Sequence, residues 1–315
     1  MRVLILLLSA TAFISTLSTT MAQNKHFEML DVFDLQYASD PQIRPQGDWI
    51  VYRRMGFDIL EDRSIGNLWM IHTDGSGHQK MTSREVAEYS PRWSPAGDRL
   101  AFVSRTDEGA EIYMYWLESG RYARVTQLPG SPSALSWSPD GQQLAFTMNV
   151  PADAPVLAKL PKKPKNAKWA GAPRITDRLY HEADGRGYIS PGFNHVFVIP
   201  AEGGAARQVS SGDWSHRGPL SWSPDGAMIY LTSNRSEDWE YDFRNSEVYA
   251  LEVATGQIES LTDSQGPDNG PVVSPDGQYI AYRGYTDRRQ AHQVTELRLM
   301  KADGSDKKVL TPSLD

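Results

Sequence analysis

The sequence predicts an all-β chain, a β-propeller of four-stranded blades, and three observations carry that prediction. A pentapeptide recurs along the chain: Trp93-Ser94-Pro95-Ala96-Gly97, Trp137-Ser138-Pro139-Asp140-Gly141, Trp222-Ser223-Pro224-Asp225-Gly226 and Val273-Ser274-Pro275-Asp276-Gly277, with a worn copy at Ile43-Arg44-Pro45-Gln46-Gly47. After each copy comes a second unit, an aromatic-aliphatic run followed by a Gly turn and a short run that ends in a hydroxyl residue. The turn prolines at 45, 95, 139, 224 and 275 stand 50, 44, 85 and 51 residues apart. Four short strands repeated every 40–50 residues or so are the pattern of a propeller blade.

Each element follows from local chemistry. In the pentapeptide, Pro presets φ, Asp accepts from the backbone just beyond it, and Gly supplies the left-handed residue that closes a type I turn with a bulge. The turns lead into alternating apolar runs, Trp49–Tyr52, Leu100–Val103, Leu144–Thr147, Ile229–Leu231 and Ile280–Tyr282, which read as strands. The second unit gives two more strands per repeat: Leu68–Ile71 to Thr82, Ile112–Tyr115 to Thr126, Val196–Ile199 to Ser210, Val248–Leu251 to Thr262 and Leu297–Met300 to Thr311. Five blades are recognisable over 38–315.

Ahead of the blades, Arg2, the apolar run from Val3 to Ile14 and the small residues up to Thr20-Met21-Ala22 have the order of a secretory signal over 1–22, with cleavage expected after Ala22. That run is short for a bilayer and is broken by Ser and Thr, so no membrane anchor is expected after cleavage. Between 23 and 37, the apolar residues from Phe27 to Leu35 are spaced for a short amphipathic helix or leading segment. Cysteine is absent, which removes disulfides, thiol catalysis and thiolate metal ligands, and the chain is read as exported, periplasmic or secreted. A net charge of −7 argues against nucleic acid as a partner. Nine Trp and fourteen Tyr are read first as packing between blades.

The long 85-residue step is one blade with an insertion at about 150–194. It opens with Pro151, Pro155, Pro161 and Pro164 among Lys159, Lys162, Lys163, Lys165 and Lys168, which is loop chemistry, and Ile175–His181 is compatible with a strand. Long insertions in a repeat fold project from one end, where partners bind.

A catalytic constellation is not legible. No G-x-S-x-G elbow and no glycine-rich phosphate cradle between strand and helix is present, and the seven His form no H-E-x-x-H. His181, Glu182 and Asp184 read as a surface cluster, so no cofactor or metal is expected. One stretch has the chemistry of a binding site: Asn234 to Asn245 interleaves Glu237, Asp238, Glu240 and Asp242 with Trp239, Tyr241 and Phe243. Carboxylates and aromatic faces together suit a cation such as a peptide amino terminus, and Glu237, Asp238, Trp239 and Glu240 are the candidate substrate-binding residues. The plain alternative is an acidic solvated loop whose aromatics pack inward.

The WSPDG blades, the segment Lys159-Leu160-Pro161-Lys162-Lys163-Pro164 to Trp169, the run Asn234 to Tyr249 and Pro271–Gly277 resemble the amino-terminal propeller of prolyl oligopeptidase family serine peptidases, in particular the acylaminoacyl-peptidase and bacterial dipeptidyl-peptidase group. The resemblance covers nearly all of the chain after the signal. It implies a propeller of seven or more blades seated over an α/β-hydrolase domain that carries Ser, Asp and His, gating entry to short peptides. No residue here matches the hydrolase domain, so no catalytic residue carries over, and the chain is expected to be part of a larger peptidase. Its implied partners are that missing domain and short peptides. A second reading is a non-catalytic periplasmic propeller like TolB that docks proteins; as the resemblance would imply, such proteins carry an α/β domain before the propeller, for which there is no room ahead of Ser39. A propeller lyase or lactonase would need metal ligands repeating by blade, and none do.

Overall fold

The computed structural model describes residues 26–152, 158, 161–171, 174–184 and 187–312; the segment read as a signal, 1–22, lies outside them. Five antiparallel four-stranded sheets follow one another along the chain. Blade I is β1 (Tyr37–Ile43), β2 (Trp49–Asp58), β3 (Arg63–His72) and β4 (Gln79–Lys80); blade II is β5 (Glu88–Trp93), β6 (Arg99–Thr106), β7 (Gly109–Trp116) and β8 (Arg121–Arg124). Blade III takes β9 (Ser133–Trp137) and β10 (Gln143–Pro151), then, past a two-stranded hairpin of β11 (Glu182–Ala183) and β12 (Gly187–Tyr188), β13 (Gly192–Pro200) and β14 (Arg207–Gln208). Blade IV is β15 (His216–Trp222), β16 (Met228–Ser233), β17 (Glu247–Glu252) and β18 (Ile258–Ser260), and blade V is β19 (Asp268–Val273), β20 (Tyr279–Gly284), β21 (Glu296–Lys301) and β22 (Lys308–Val309). The architecture is the predicted propeller array.

Every pentapeptide is the turn between the first and second strands of its blade. Gly47, Gly97, Gly141, Gly226 and Gly277 have φ between 68° and 77°. Each donates its N–H to the residue three back, as in Gly226 N to Ser223 O at 2.9 Å. In the three copies with Asp, the carboxylate accepts the amide two residues on, at 3.0 Å for Asp140, Asp225 and Asp276, while the Ser hydroxyl donates to the same carboxylate. Where Ala96 replaces Asp, Ser94 turns to Asp98 instead, at 2.7 Å. The Trp of the motif reaches the blade before it: Trp93 Nε1 donates to Gln42 O at 3.2 Å and Trp137 Nε1 to Arg92 O at 2.9 Å.

The inner strands carry a feature that pattern reading overlooked. β1, β5, β9, β15 and β19 each shift register against the second strand. At these bulges Asp40, Ser90, Ala134 and Gly270 have positive φ. A Pro follows in four of the five, Pro41, Pro91, Pro219 and Pro271, and a residue with no N–H to donate is tolerated where the ladder is interrupted.

Packing is strictly between successive blades. Four apolar clusters join I to II around Leu100 and Phe102, II to III around Phe146 and Trp137, III to IV around Leu231 and Trp222, and IV to V around Ile280 and Tyr282. Among the described residues no such cluster joins V to I. The consequence shows at one register position: the third-strand residues Leu68, Ile112, Val196 and Val248 are fully buried by the next blade, whereas their counterpart Leu297 is 41% exposed, and Leu310, bonded to it across β21 and β22, is 48% exposed.

Two boundaries differ from those read in the sequence. β10 and β13 pair as far as Pro151 with Gly192, so the ladder runs on into the residues assigned to the insertion, which occupies 152–191. Ile175–His181 is not a strand; the short ladder there is the β11–β12 hairpin. Met29–Asp34 forms a 3-10 helix with no buried residue, and Phe27, Met29 and Leu30 of its apolar stripe are exposed.

Candidate functional site

In each blade the first and third strands start, and the second ends, at the end of the sheet opposite the pentapeptide turns. The insertion (152–191) and the acidic-aromatic loop (234–246) therefore emerge at the same end, from adjacent blades. The loop is folded on itself. Asn234 Nδ2 donates to Asp242 O at 2.7 Å, its Oδ1 accepts the Ser236 hydroxyl at 2.8 Å, and the Asp238 carbonyl accepts the amides of Tyr241 and Asp242 at 2.8 and 3.0 Å.

The four candidate residues divide into two pairs. Trp239 is half-buried and meets Phe193, the second residue of β13, edge to face with ring centres 6.2 Å apart. Arg178 of the insertion lies over the same Phe193 ring at 4.6 Å. Glu240 Oε2 accepts the Leu179 amide at 3.4 Å. Glu240 thus ties the insertion to the loop, and Trp239 packs on blade III at the ring that Arg178 of the insertion also covers. Glu237 and Asp238 project into solvent, as do Tyr241 and Phe243 at 79% and 60% exposure. On the insertion side, Tyr180 and Tyr188 are exposed, with Arg174 stacked on Tyr188 at 3.8 Å. His181 Nδ1 faces the carbonyls of Arg178 and Leu179, at 3.2 and 3.0 Å. The surface combines free carboxylates and open aromatic faces, which is what capture of an organic cation requires. Between the inner strands lies a cavity of about 330 Å³ lined by Gln42, Arg92, Ser136, Trp137 and Leu220 among others, and Arg92 is ion-paired with Asp40 at 2.9 Å.

Sequence reading missed a belt of buried polar groups just inside this end. The hydroxyl residue that closes each fourth-strand run explains itself here: Thr126, Ser210, Thr262 and Thr311 each accept the amide of the third-strand residue at 2.8–2.9 Å. Three of the fourth-strand hydroxyls donate to a buried acid. Thr82 donates to Glu88 at 2.6 Å, Thr126 to Glu111 at 2.5 Å and Thr262 to Glu247. Burial raises the pKa of Glu88 and pushes that of Glu247 up to about 7. Asp268 is raised as well, burial outweighing its ion pair with Arg298 at 3.1 Å. Between blades III and IV the acid is absent. His195 and His216 stand there instead, with ring centres 5.4 Å apart, and Ser210 Oγ lies 3.3 Å from His216 Nδ1. Burial drives the His216 pKa down to about 4. A partial signal existed in the sequence, since Glu111, His195, Glu247 and Glu296 each stand immediately before the third-strand residue whose amide the hydroxyl binds.

Comparisons with known proteins follow the same division of the chain. The family profile described as TolB beta propeller domain matches residues 59–156, and that of the dipeptidyl peptidase IV N-terminal region matches 165–287, a span that contains most of the insertion and the whole acidic-aromatic loop. Dipeptidyl-peptidase 5 of Porphyromonas gingivalis is 26% identical over 286 residues, covering 85% of this chain and 40% of that protein. The chain therefore spans about two fifths of the length of this relative. Among solved structures, Pyrococcus horikoshii acylaminoacyl peptidase superposes with a TM-score of 0.64 at 16% identity, over 90% of this chain and 41% of that one. A putative TolB from Agrobacterium tumefaciens gives 0.55 at 18% identity, over 87% and 80%. At those identities the two structures speak for the fold, and the peptidase-specific profile together with the dipeptidyl-peptidase relative speaks for the lineage. In sequence and fold the chain is similar to the amino-terminal propellers of prolyl oligopeptidase family peptidases.

Proposed function

We propose that this chain is the substrate-gating propeller of an exported serine peptidase that acts on short peptides, and that it holds the peptide amino terminus at the acidic-aromatic loop. The observation that carries the reading is the joining of insertion and loop: Glu240 bonds Leu179 of the insertion and Trp239 shares the Phe193 ring with Arg178, leaving Glu237 and Asp238 exposed beside exposed aromatic rings. The relative's name, dipeptidyl-peptidase, supports a short peptide as ligand, and the bacterial peptidase and TolB relatives support export. The nucleophile, base and oxyanion donors of such chemistry belong to a hydrolase domain, and the propeller contributes selection.

The test uses the 315-residue chain. Titration with alanyl-alanine amide and with its N-acetylated form separates recognition of the ammonium from recognition of the rest. Binding of the free amine, weakened about tenfold by acetylation and by Glu237→Gln, is expected, along with no labelling by a fluorophosphonate probe. Equal binding of both peptides would return the loop to a solubility role. Labelling at one Ser, abolished by replacing that Ser, would expose a catalytic site within the propeller.

A second reading, a protein-docking propeller like TolB, is favoured by the profile match over 59–156. It leaves the insertion and the loop at 234–246 without a role, and these lie in the span matched by the dipeptidyl peptidase IV profile.

A further inference from the structure

The polar belt has one electrostatic exception, and Arg235 stands at it. The other three blade junctions each bury a carboxylate: Glu88 between I and II, Glu111 between II and III, and Glu247 with Asp268 between IV and V. Two of these acids have an arginine close by, Arg84 acting on Glu88 and Arg298 paired with Asp268. At the junction of III and IV an arginine is present and the acid is not. Arg235 is half-buried, its guanidinium 4.6 Å from the Trp214 ring centre and 5.8 Å from that of Tyr249. Its Nη1 donates to His216 Nε2 at 3.3 Å, while His216 Nδ1 faces Asn194 O at 3.1 Å and Ser210 Oγ. No carboxylate among the described residues forms an ion pair with Arg235: Glu237 and Asp238, two and three residues on, are exposed, and the exposed Asp213, three residues before His216, acts on His195. His195, 5% exposed, has a buried Nδ1 with no partner. A fixed cation, two imidazoles whose pKa values burial lowers and an unpaired ring nitrogen make a partly desolvated cluster of positive potential with no ion-paired carboxylate among the described residues.

We propose that Arg235, backed by His195 and His216 at the junction of blades III and IV, is a receptor for a peptide carboxylate. Guanidinium geometry suits this ligand: the aromatic rings fix the plane of the fork, and the N–H groups not given to His216 can bind both oxygens of one carboxylate. Arg235 stands two and three residues before Glu237 and Asp238, so one loop carries a site for negative charge beside the site assigned to an amino terminus. The choice of a peptide as the carrier rests on the function proposed above; the carboxylate chemistry does not.

The experiment follows the His195 and His216 ring protons by NMR in the labelled 315-residue chain. Three probes are compared: N-acetyl-alanyl-alanine with a free carboxylate, its amide, and N-acetyl-alanyl-aspartyl amide, which moves the carboxylate to a side chain. Saturable shifts with either carboxylate peptide and none with the amide are expected. Arg235→Gln should weaken binding about tenfold or more, and Arg235→Lys, which keeps the charge without the planar fork, by about three- to fivefold. If Arg235→Gln unfolds, the Arg235→Lys series alone decides. Shifts of equal size with the amide, unchanged affinity in the variants, or tighter binding of inorganic phosphate than of either carboxylate would overturn the proposal. Alanyl-alanine amide, which carries an amino terminus and no carboxylate, should bind Arg235→Gln as it binds the parent chain, so failure here is distinguishable from failure of the amino-terminal site.

Discussion

At the scale of single residues, the turn glycines show how far backbone conformation alone can constrain a sequence. Gly141 and Gly226 have φ of 68° and 72°, and a Cβ at either would meet nothing nearer than the Pro of the preceding turn, at 3.5 and 4.0 Å. Space is available, so the obstacle to a side chain is the left-handed conformation itself. Gly141→Val and Gly226→Val are therefore expected to lower stability by about 1–2 kcal/mol each, read as a fall in thermal midpoint. Unchanged midpoints would mean the turns relax to another form. These residues were fully legible in the sequence because their constraint is local. Trp239 and Glu240 were legible only in part: the sequence shows an aromatic and an acid, and only the fold shows Phe193 and Leu179 waiting for them from another blade.

At the scale of the element, the blade junctions combine an apolar seam with a buried polar belt, and the belt makes stability depend on pH. Glu247 titrates near 7 in the folded chain against about 4.3 in an unfolded one. The unfolded state gives up this proton first, so the contribution of neutral Glu247 is complete below about pH 4.3 and is lost as pH rises through 7. His216 runs the other way: its folded pKa of about 4 lies below the ordinary value, so its contribution is present above about pH 6.5 and is lost as pH falls through 4. Glu247→Gln should consequently match the parent near pH 5 and exceed it in denaturant midpoint at pH 8, with the difference growing across pH 5–7. A constant difference at all pH values would show that Glu247 is not the titrating group. Strands and turns of these elements could be read from alternation and spacing, whereas the pairing within the belt could not, since the position of Glu111 ahead of Ile112 does not show the Thr126 hydroxyl that meets it.

At the scale of the whole molecule, an array of five blades has two end faces. The face of blade V presents Leu297 and Leu310 at positions whose equivalents lie mostly under a neighbouring blade elsewhere in the array, and exposed apolar side chains of this kind drive association. The 315-residue chain is expected to self-associate as its concentration rises, measured by light scattering, and Leu297→Asp with Leu310→Asp should reduce the effect. A monodisperse monomer at high concentration would show that the face is covered within the chain. Repetition brings a second hazard, because blades of nearly one shape can exchange neighbours while folding. The belt gives each junction its own identity. Glu88 of blade II accepts from Thr82 and from the Leu68 amide of blade I, whose preceding residue is the uncharged Asn67; set against blade IV it would bring its carboxylate to the third-strand position held there by Glu247. Two buried carboxyls brought together disfavour such a pairing, either by repulsion or by forcing one to stay protonated. The varied polar pairs thus act as a key for each joint, and the order of the blades in space is written in their mutual intolerance as much as in their fit.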